Sequence, residues 1–442
     1  MGAQETGKEN HLTRKEKAES IMHDGSRNMM RVLLICAILL IAIGWVMLLD
    51  TGLIYKGAAN PEYFQGQIIK RIATMSIGGI FLLALWLLPP KTLRILAIPS
   101  VIIAIGLLAL LWTPLGAVER DCRRWLNFGP FRFQPLEFAK LALVWFLAFS
   151  LSKPLAGNSR DVKRLMLPAG IGLLMVGLVG MQPNLSGAFF LIILALVMAV
   201  LGGVNRRFIF SMVCAGAISA AALLSIFDSR HDRFLPMFKP LADLSGKGYQ
   251  VAMSLWAITS GGITGRGPGE SIAMYSLPDH STDFIFSILV EEWGMIGGFA
   301  VIALFAILVY AGFRISLAQN DPFRCYLGCG VTSIIGIQAA INMGVVLALL
   351  PTTGVPLPFV SIGGSNLILS LVSVGILMNL GRRPNEVTEI RTTEPSADKH
   401  DHKQRVKRVR VTGNRRTRTD AMRLYEKTPV TGITTHRKRM AR

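Results

Sequence analysis

Asp283 closes the polar stretch Leu277-Pro278-Asp279-His280-Ser281-Thr282-Asp283 and is followed at once by the apolar Phe284-Ile285-Phe286. Two roles suit a carboxylate at such a boundary. Ser, Thr and Asp all cap helix N-termini, while a partly buried Asp can act as a general base toward a bound hydroxyl. Further on, Glu291 and Glu292 belong to a solvated face, or they support the site from behind, or they bind a cation. Glu137 and Lys140 are spaced i, i+3 where Phe133-Gln134-Pro135 leads into another apolar run, so they share a helix face and can pair. That pair either lets the helix enter lipid or lines a cavity, since ionisable groups at membrane depth usually face one.

The segment from Gly248-Tyr249-Gln250 through Ser260-Gly261-Gly262 to Gly267-Pro268-Gly269-Glu270-Ser271 is rich in glycine. It makes a poor phosphate loop, because no Gly-Lys-Ser/Thr follows and no strand precedes it. Flexible backbone that a lipid-linked substrate can approach suits it better, with Gln250 and Ser260 as polar contacts. From Leu350 to Gly364 three prolines and several glycines interrupt apolar sequence, with Ser361 among them. Irregular backbone at membrane depth is tolerated where protein buries it or a watery cavity borders it, so a cleft is expected here too. Gln182-Pro183-Asn184-Leu185-Ser186-Gly187 reads as a tight turn with a helix cap. Cys36, Cys122, Cys214, Cys325 and Cys329 are odd in number and mostly lie in apolar runs. They read as small buried hydrophobes rather than a disulfide or zinc framework.

Membrane helices must position these groups. Of 442 residues 51% are hydrophobic and 17% charged, with mean hydropathy +0.47, against about 25% charged in soluble domains. Apolar runs fall at 32–49, 72–88, 95–112, 136–152, 165–181, 185–203, 208–227, 294–313, 325–350 and 357–380. Each can cross about 30 Å of hydrocarbon once tilt and flanks are allowed for. The expected fold class is all-α: a polytopic membrane protein of about ten spans, with a large outer loop between spans seven and eight. Every second loop is short and basic, through Lys91 and Arg94, then Lys153, Arg160, Lys163 and Arg164, then Arg206 and Arg207, then Arg314 and Arg324. Those loops and both termini are therefore cytoplasmic, and the long segments 113–135 and 228–293 face out.

Residues 1–31 carry six basic and five acidic residues, too long and acidic a stretch for a signal-peptide start, so the first run is a retained anchor. The net charge of +20 is concentrated at the other end, where 381–442 hold 18 Lys/Arg against 7 Asp/Glu. Few apolar residues interrupt that tail. It reads as disordered cytoplasmic chain attracted to anionic lipid rather than as a nucleic-acid module. The outer loops are basic as well, with Arg120, Arg123, Arg124, Arg132, Arg230, Arg233, Lys239, Lys247 and Arg266. These are tolerated surface charge, or they form a cavity for an anionic substrate such as a lipid diphosphate, which guanidinium groups grip in bidentate fashion.

Taken in order and spacing, Arg124-Trp125, Phe133 to Lys140, Gln182-Pro183, Ser260-Gly261-Gly262, Leu277-Pro278, Thr282-Asp283-Phe284-Ile285-Phe286, Glu291-Glu292 and Leu350 to Gly364 resemble the shape, elongation, division and sporulation (SEDS) family. The resemblance covers about 30–380 and leaves both tails outside. It implies three parts: an N-terminal tail (1–31), a ten-span catalytic domain (32–380) and a basic tail (381–442). It further implies a peptidoglycan glycosyltransferase that polymerises lipid II with a class B penicillin-binding protein. Asp283 matches the family's catalytic aspartate and Glu137 with Lys140 its cavity pair. Arg71 matches an arginine near the second span, although Ile72 stands where glutamine is usual. Leu136 replaces a serine, Asn184-Leu185-Ser186-Gly187 an Asp-Leu-Gly-Thr-like run, and Ser281 a histidine, with His280 beside it. These departures touch local substrate contacts and leave the aspartate in place.

The reaction so implied is inverting glycosyl transfer at the outer face of the inner membrane. Asp283 would take the proton of an acceptor sugar hydroxyl, and undecaprenyl diphosphate would leave. Its charge would be met by Arg71, Arg124, Arg233, Lys140 or a divalent cation, Mg or Mn. Expected partners are lipid II, undecaprenyl-diphosphate-linked glycan, the penicillin-binding protein, other divisome proteins and membrane lipid. The polar N-terminal extension and long basic tail incline the role to division, at the septum, over elongation. Two rivals are a precursor flippase, which needs polar groups reaching both faces, and a non-catalytic scaffold for the transpeptidase.

Overall fold

The computed structural model describes residues 2–50, 61–119, 122–129, 131–152, 162–207 and 247–382, with a few positions between 209 and 218. The tail beyond Arg382, Arg233 and most of the apolar run at 208–227 lie outside the described residues. Helices α1 (Gly2–Asp50), α2 (Pro61–Leu87), α3 (Pro90–Ile95) and α4 (Ala97–Leu110) come first. Strands β1 (Gly116–Glu119), β2 (Cys122–Phe128) and β3 (Phe131–Phe133) then form an antiparallel sheet in the order β1-β2-β3. After it come α5 (Pro135–Leu151), α6 (Val162–Met181), α7 (Leu185–Leu201), α8 (Lys247–Gly261), the single turn α9 (Ala273–Ser276), α10 (Ile285–Leu317), α11 (Pro322–Val346) and α12 (Gly364–Arg382).

Five of these helices are long and apolar enough to cross a membrane, at Gly25–Asp50, Phe64–Leu87, Ile285–Leu317, Pro322–Val346 and Gly364–Arg382. Ala97–Leu110, Leu165–Met181 and Leu185–Leu201 are shorter apolar helices. The polytopic helical architecture read from hydropathy is thus the observed one. Ile35, Ile38, Ile80, Phe81, Ile102, Leu173 and Phe299 are exposed, which suits lipid as the surrounding solvent. At the centre stands α12, with 89% of its span buried, against 17% for α2 at the edge. The long loop before α5 folds as this three-stranded sheet, which periodicity did not reveal. β2 carries a bulge at Arg124, which stands unpaired between the Ala117–Trp125 and Val118–Arg123 pairs, and a bulge re-aims a side chain out of the regular alternation; Leu126 is fully buried and Arg124 half-buried. The apolar run from 357 becomes helix only at Gly364, because Pro351, Pro356 and Pro358 cannot donate to a helical ladder.

α10 contains one break. Gly294 has φ 70 and ψ −174, and a Cβ there would stand 2.2 Å from the Ile263 carbonyl oxygen, so only glycine fits. The carbonyls and amides freed by the break are taken by the glycine-rich loop. Arg266 N–H donates to Glu291 O and Gly267 N–H to Glu292 O, both at 3.0 Å, while Met295 N–H donates to Gly262 O at 3.0 Å. Irregular backbone at this depth is therefore satisfied by protein, as the membrane requires.

Candidate active site

The turn before α10 delivers Asp283. Asp279 adopts φ 56, and its carbonyl accepts the Thr282 and Asp283 amides at 3.1 Å each. The N-cap position of α10 is Phe284, which makes no side-chain cap bond, so Asp283 stands one residue ahead of the place a capping Asp would occupy. Its side chain is half-buried. Across from it lies Gly354 at φ 67, where an added Cβ would stand 3.3 Å from Asp283 Oδ2 and 3.8 Å from Arg124 Nη1. Carboxylate and guanidinium thus converge on one bare glycine, one from the α10 turn and the other from the bulge in β2. The Arg124 Nε is buried without a hydrogen-bond partner among the described residues, while Nη2 contacts Cys122 Sγ at 3.6 Å.

The backbone of this turn is hung from the loop between α11 and α12. Ile362 N–H donates to Ser281 O at 3.0 Å, Ser361 Oγ to Thr282 O at 2.6 Å, and Asn342 Nδ2 to Asp283 O at 2.8 Å. Ser361 Oγ also accepts the Leu357 amide at 2.8 Å, so this hydroxyl is committed to framing the site. Arg71 does similar work. Buried in α2, it donates through Nη1 to Ser361 O at 2.7 Å and through Nη2 to Phe359 O at 2.8 Å. A guanidinium fork engaged in this way holds the loop rather than a phosphate, which differs from the contact expected of it.

Glu137 and Lys140 pair as their spacing implied, at 2.8 Å, and both are buried. α5 begins at Pro135 after an extended Gln134, which sets Glu137 on its first turn and Lys140 on its second, both on the buried side. The Lys140 ammonium also donates to Gln338 Oε1 at 2.7 Å and lies 4.7 Å from the centre of the Phe190 ring. Glu137 Oε2 has no hydrogen-bond partner among the described residues.

Of the roles open to Glu291, its contacts match the supporting one and not cation binding. Its Oε1 accepts Ser260 Oγ at 3.3 Å and Ile272 N–H at 3.1 Å; its Oε2 accepts Ser271 Oγ at 2.5 Å and Ala273 N–H at 3.2 Å. A carboxylate offers about four lone-pair sites, so Glu291 is saturated as a staple for the glycine-rich loop, and Ser260 belongs to that staple. Glu292 is buried beside Asp50 and the Gly269 backbone. Gln250 is half-buried on α8, one turn before Ser254, whose hydroxyl donates to Val346 O at 2.9 Å. The structure therefore brings Asp283, Arg124 and Gly354 together, sets Ser361 and Arg71 behind them, and keeps Glu291 and Ser260 as a separate anchor. Gln338, Asn342 and Gly354 were given no role from sequence. For Gln338 and Asn342 the signal was two carboxamides four residues apart in an apolar run, since polar groups at membrane depth usually face the bundle interior.

A bundle of membrane helices with a carboxylate and an arginine gathered under irregular loops at one end is the architecture of a membrane-embedded enzyme. The family model described as "Cell cycle protein", covering FtsW, RodA and SpoVE, matches residues 30–386, and the chain belongs to that family. A probable peptidoglycan glycosyltransferase FtsW of Geobacter metallireducens is 34% identical over 362 residues, 80% of this chain and 94% of its own length. Stage V sporulation protein E of Bacillus subtilis is 33% identical, over 79% of this chain and 96% of its own. Among solved structures, a chain from a peptidoglycan synthase complex that coordinates polymerization and crosslinking superposes with TM-score 0.67 at 28% identity, covering 80% of this chain and 98% of that one. RodA of Thermus thermophilus superposes with TM-score 0.59 at 27% identity, over 80% and 97%.

Proposed function

We propose that this protein is a peptidoglycan glycosyltransferase that polymerises lipid II at the outer face of the cytoplasmic membrane, with Asp283 as general base. The observation that carries the reading is the placement of Asp283: half-buried, one residue ahead of the helix cap, and converging with Arg124 on Gly354. Family membership and the relatives named as glycosyltransferases support the reaction type.

In the proposed step the acceptor sugar hydroxyl transfers its proton to the Asp283 carboxylate. The freed oxygen bonds to the anomeric carbon of the donor as the bond from that carbon to the diphosphate breaks, inverting the centre. Undecaprenyl diphosphate leaves, and the Arg124 guanidinium would meet its charge. A positioned base contributes about 10²–10⁴-fold, so orientation and charge stabilisation supply the remainder. If a divalent cation such as Mg or Mn takes part, Asp283 would be its protein ligand beside substrate phosphates, and it would supply charge to neutralise the departing diphosphate. Among the described residues no three His, Cys, Asp or Glu side chains gather, so most of its ligands would come from substrate and water.

Loop charge supports cytoplasmic termini and an outward-facing site. The likeness to a synthase that polymerises and crosslinks supports a class B penicillin-binding protein as partner, and the FtsW names among relatives support a role at the septum with other divisome proteins. The test is polymerisation of labelled lipid II by purified protein, with and without that partner. Asp283→Asn keeps size and polarity and is expected to lose at least about 10² in rate while inserting normally. Near-wild-type synthesis by a stably inserted Asp283→Asn protein would end the base assignment, and a wild-type protein inert with its partner would leave a flippase or scaffold.

A further inference from the structure

Three consecutive carbonyls in the proline-rich loop before α12 are taken by side-chain carboxamides. Asn342 Nδ2 donates to Val355 O at 2.8 Å, Gln338 Nε2 to Pro356 O at 3.1 Å, and Asn366 Nδ2 to Leu357 O at 3.2 Å. All three amides are buried, Asn342 and Gln338 at 1% exposure. The physical reason lies in Pro351, Pro356 and Pro358. Prolines lack the N–H that would build a backbone ladder, yet buried carbonyls must still find donors. α11 supplies two of them from one face, because Gln338 and Asn342 stand four residues apart.

Each of these two residues has a second attachment. Gln338 Oε1 receives the Lys140 ammonium at 2.7 Å, and Asn342 Nδ2 reaches Asp283 O at 2.8 Å. The chain of bonds therefore runs from Glu137 and Lys140 through Gln338 and the Val355–Pro356 backbone to Asn342 and Asp283. Asn342 is where that path meets the catalytic turn.

We infer that Asn342 is a positioning residue for the transfer reaction: its carboxamide clamps Asp283 O to Val355 O and so holds the Asp283 carboxylate at its distance from Gly354 and Arg124. Asn342 itself touches neither substrate nor reacting atom in this role. The inference rests on Asp283 as general base. A base displaced by about 1 Å can cost about 10²-fold, so loss of the clamp should lower turnover while leaving lipid II binding nearly intact.

Asn342→Asp tests this, because it keeps the volume and replaces the donating NH2 with an oxygen facing two carbonyls. The full chain with its partner transpeptidase should insert, copurify, and show kcat reduced about ten- to hundredfold with KM for lipid II within about twofold of wild type. Wild-type kcat overturns the inference, and so does a KM rise that matches the loss. If Asn342→Asp fails to insert, Asn342→Ala carries the same readout, and failure of both to insert assigns Asn342 to folding and overturns the proposal. Asp283→Asn is measured alongside. An active Asp283→Asn protein removes the base reading itself, whereas an inactive one beside a fully active Asn342→Asp protein removes only the clamp.

Discussion

Replacing Lys140 with Met should destabilise the protein far more than replacing Lys140 and Glu137 together. Lys140 is 2% exposed, and its ammonium stands 2.8 Å from Glu137, 2.7 Å from Gln338 Oε1 and 4.7 Å from the Phe190 ring centre. Methionine preserves the length of the apolar stem but strands the Glu137 carboxylate, whose Oε2 already lacks a hydrogen-bond partner among the described residues. Breaking a buried pair from one side costs about 3–5 kcal/mol, whereas exchanging both members for neutral groups of similar volume is often close to neutral. Charge exchange, Glu137→Lys with Lys140→Glu, should not rescue. It would set a carboxylate against Gln338 Oε1 and against the electron-rich face of Phe190. Gln338 cannot turn its amide to help, because Nε2 is engaged by Pro356 O at 3.1 Å and Asn366 Oδ1 at 2.7 Å. The assay is thermal unfolding of detergent-solubilised protein together with lipid II polymerisation. Lys140→Met and the exchanged pair should unfold at clearly lower temperature than wild type, with Glu137→Gln plus Lys140→Met close to wild type. Full stability and activity in the exchanged protein would refute the reasoning, since it would mean that neither Gln338 nor Phe190 reads the sign of the charge.

Gly354→Ala should lower polymerisation strongly, because a non-glycine residue at φ 67 costs about 1–2 kcal/mol and the new methyl sits against the Asp283 carboxylate; unchanged turnover would show that this space is not used. Glu291→Gln replaces two acceptor lone pairs with donors facing Ser or amide N–H groups. It should speed hydrogen exchange at the Ile272 and Ala273 amides, at a cost of about 1–3 kcal/mol, without altering the dependence of activity on divalent cation; a changed cation dependence would restore Glu291 to the metal. Truncation after Glu389 should leave lipid II polymerisation by the purified pair intact while altering localisation in cells, because the basic composition of the tail suits anionic lipid at up to about 1 kcal/mol per residue and the loop-charge rule, under the proposed topology, assigns it to the side away from Asp283. A stable, inserted truncation without activity would contradict that placement.

Hydropathy by itself determined the helical membrane architecture, because an apolar run of this length in lipid must satisfy its own backbone and a helix does so locally, whereas helix ends such as Ile285 and Gly364 departed from the runs. Spacing alone paired Glu137 with Lys140, since i, i+3 neighbours meet on any helix, and the boundary between loop and apolar run located Asp283. Tertiary structure decided what these groups do next. Whether Asp283 caps its helix depended on a turn at Asp279 that admits a positive φ. Arg71, Ser361, Gln338 and Asn342 all spend their donors on backbone carbonyls of distant loops. Which carbonyls lack partners follows from how prolines and glycines bend the chain between α11 and α12, and side-chain types do not record that. Glu291 was ambiguous for the same reason: a buried carboxylate binds a cation or four donors with equal chemical sense, and only the folded glycine-rich loop, bringing Ser260, Ser271 and two amides to it, selected the donors.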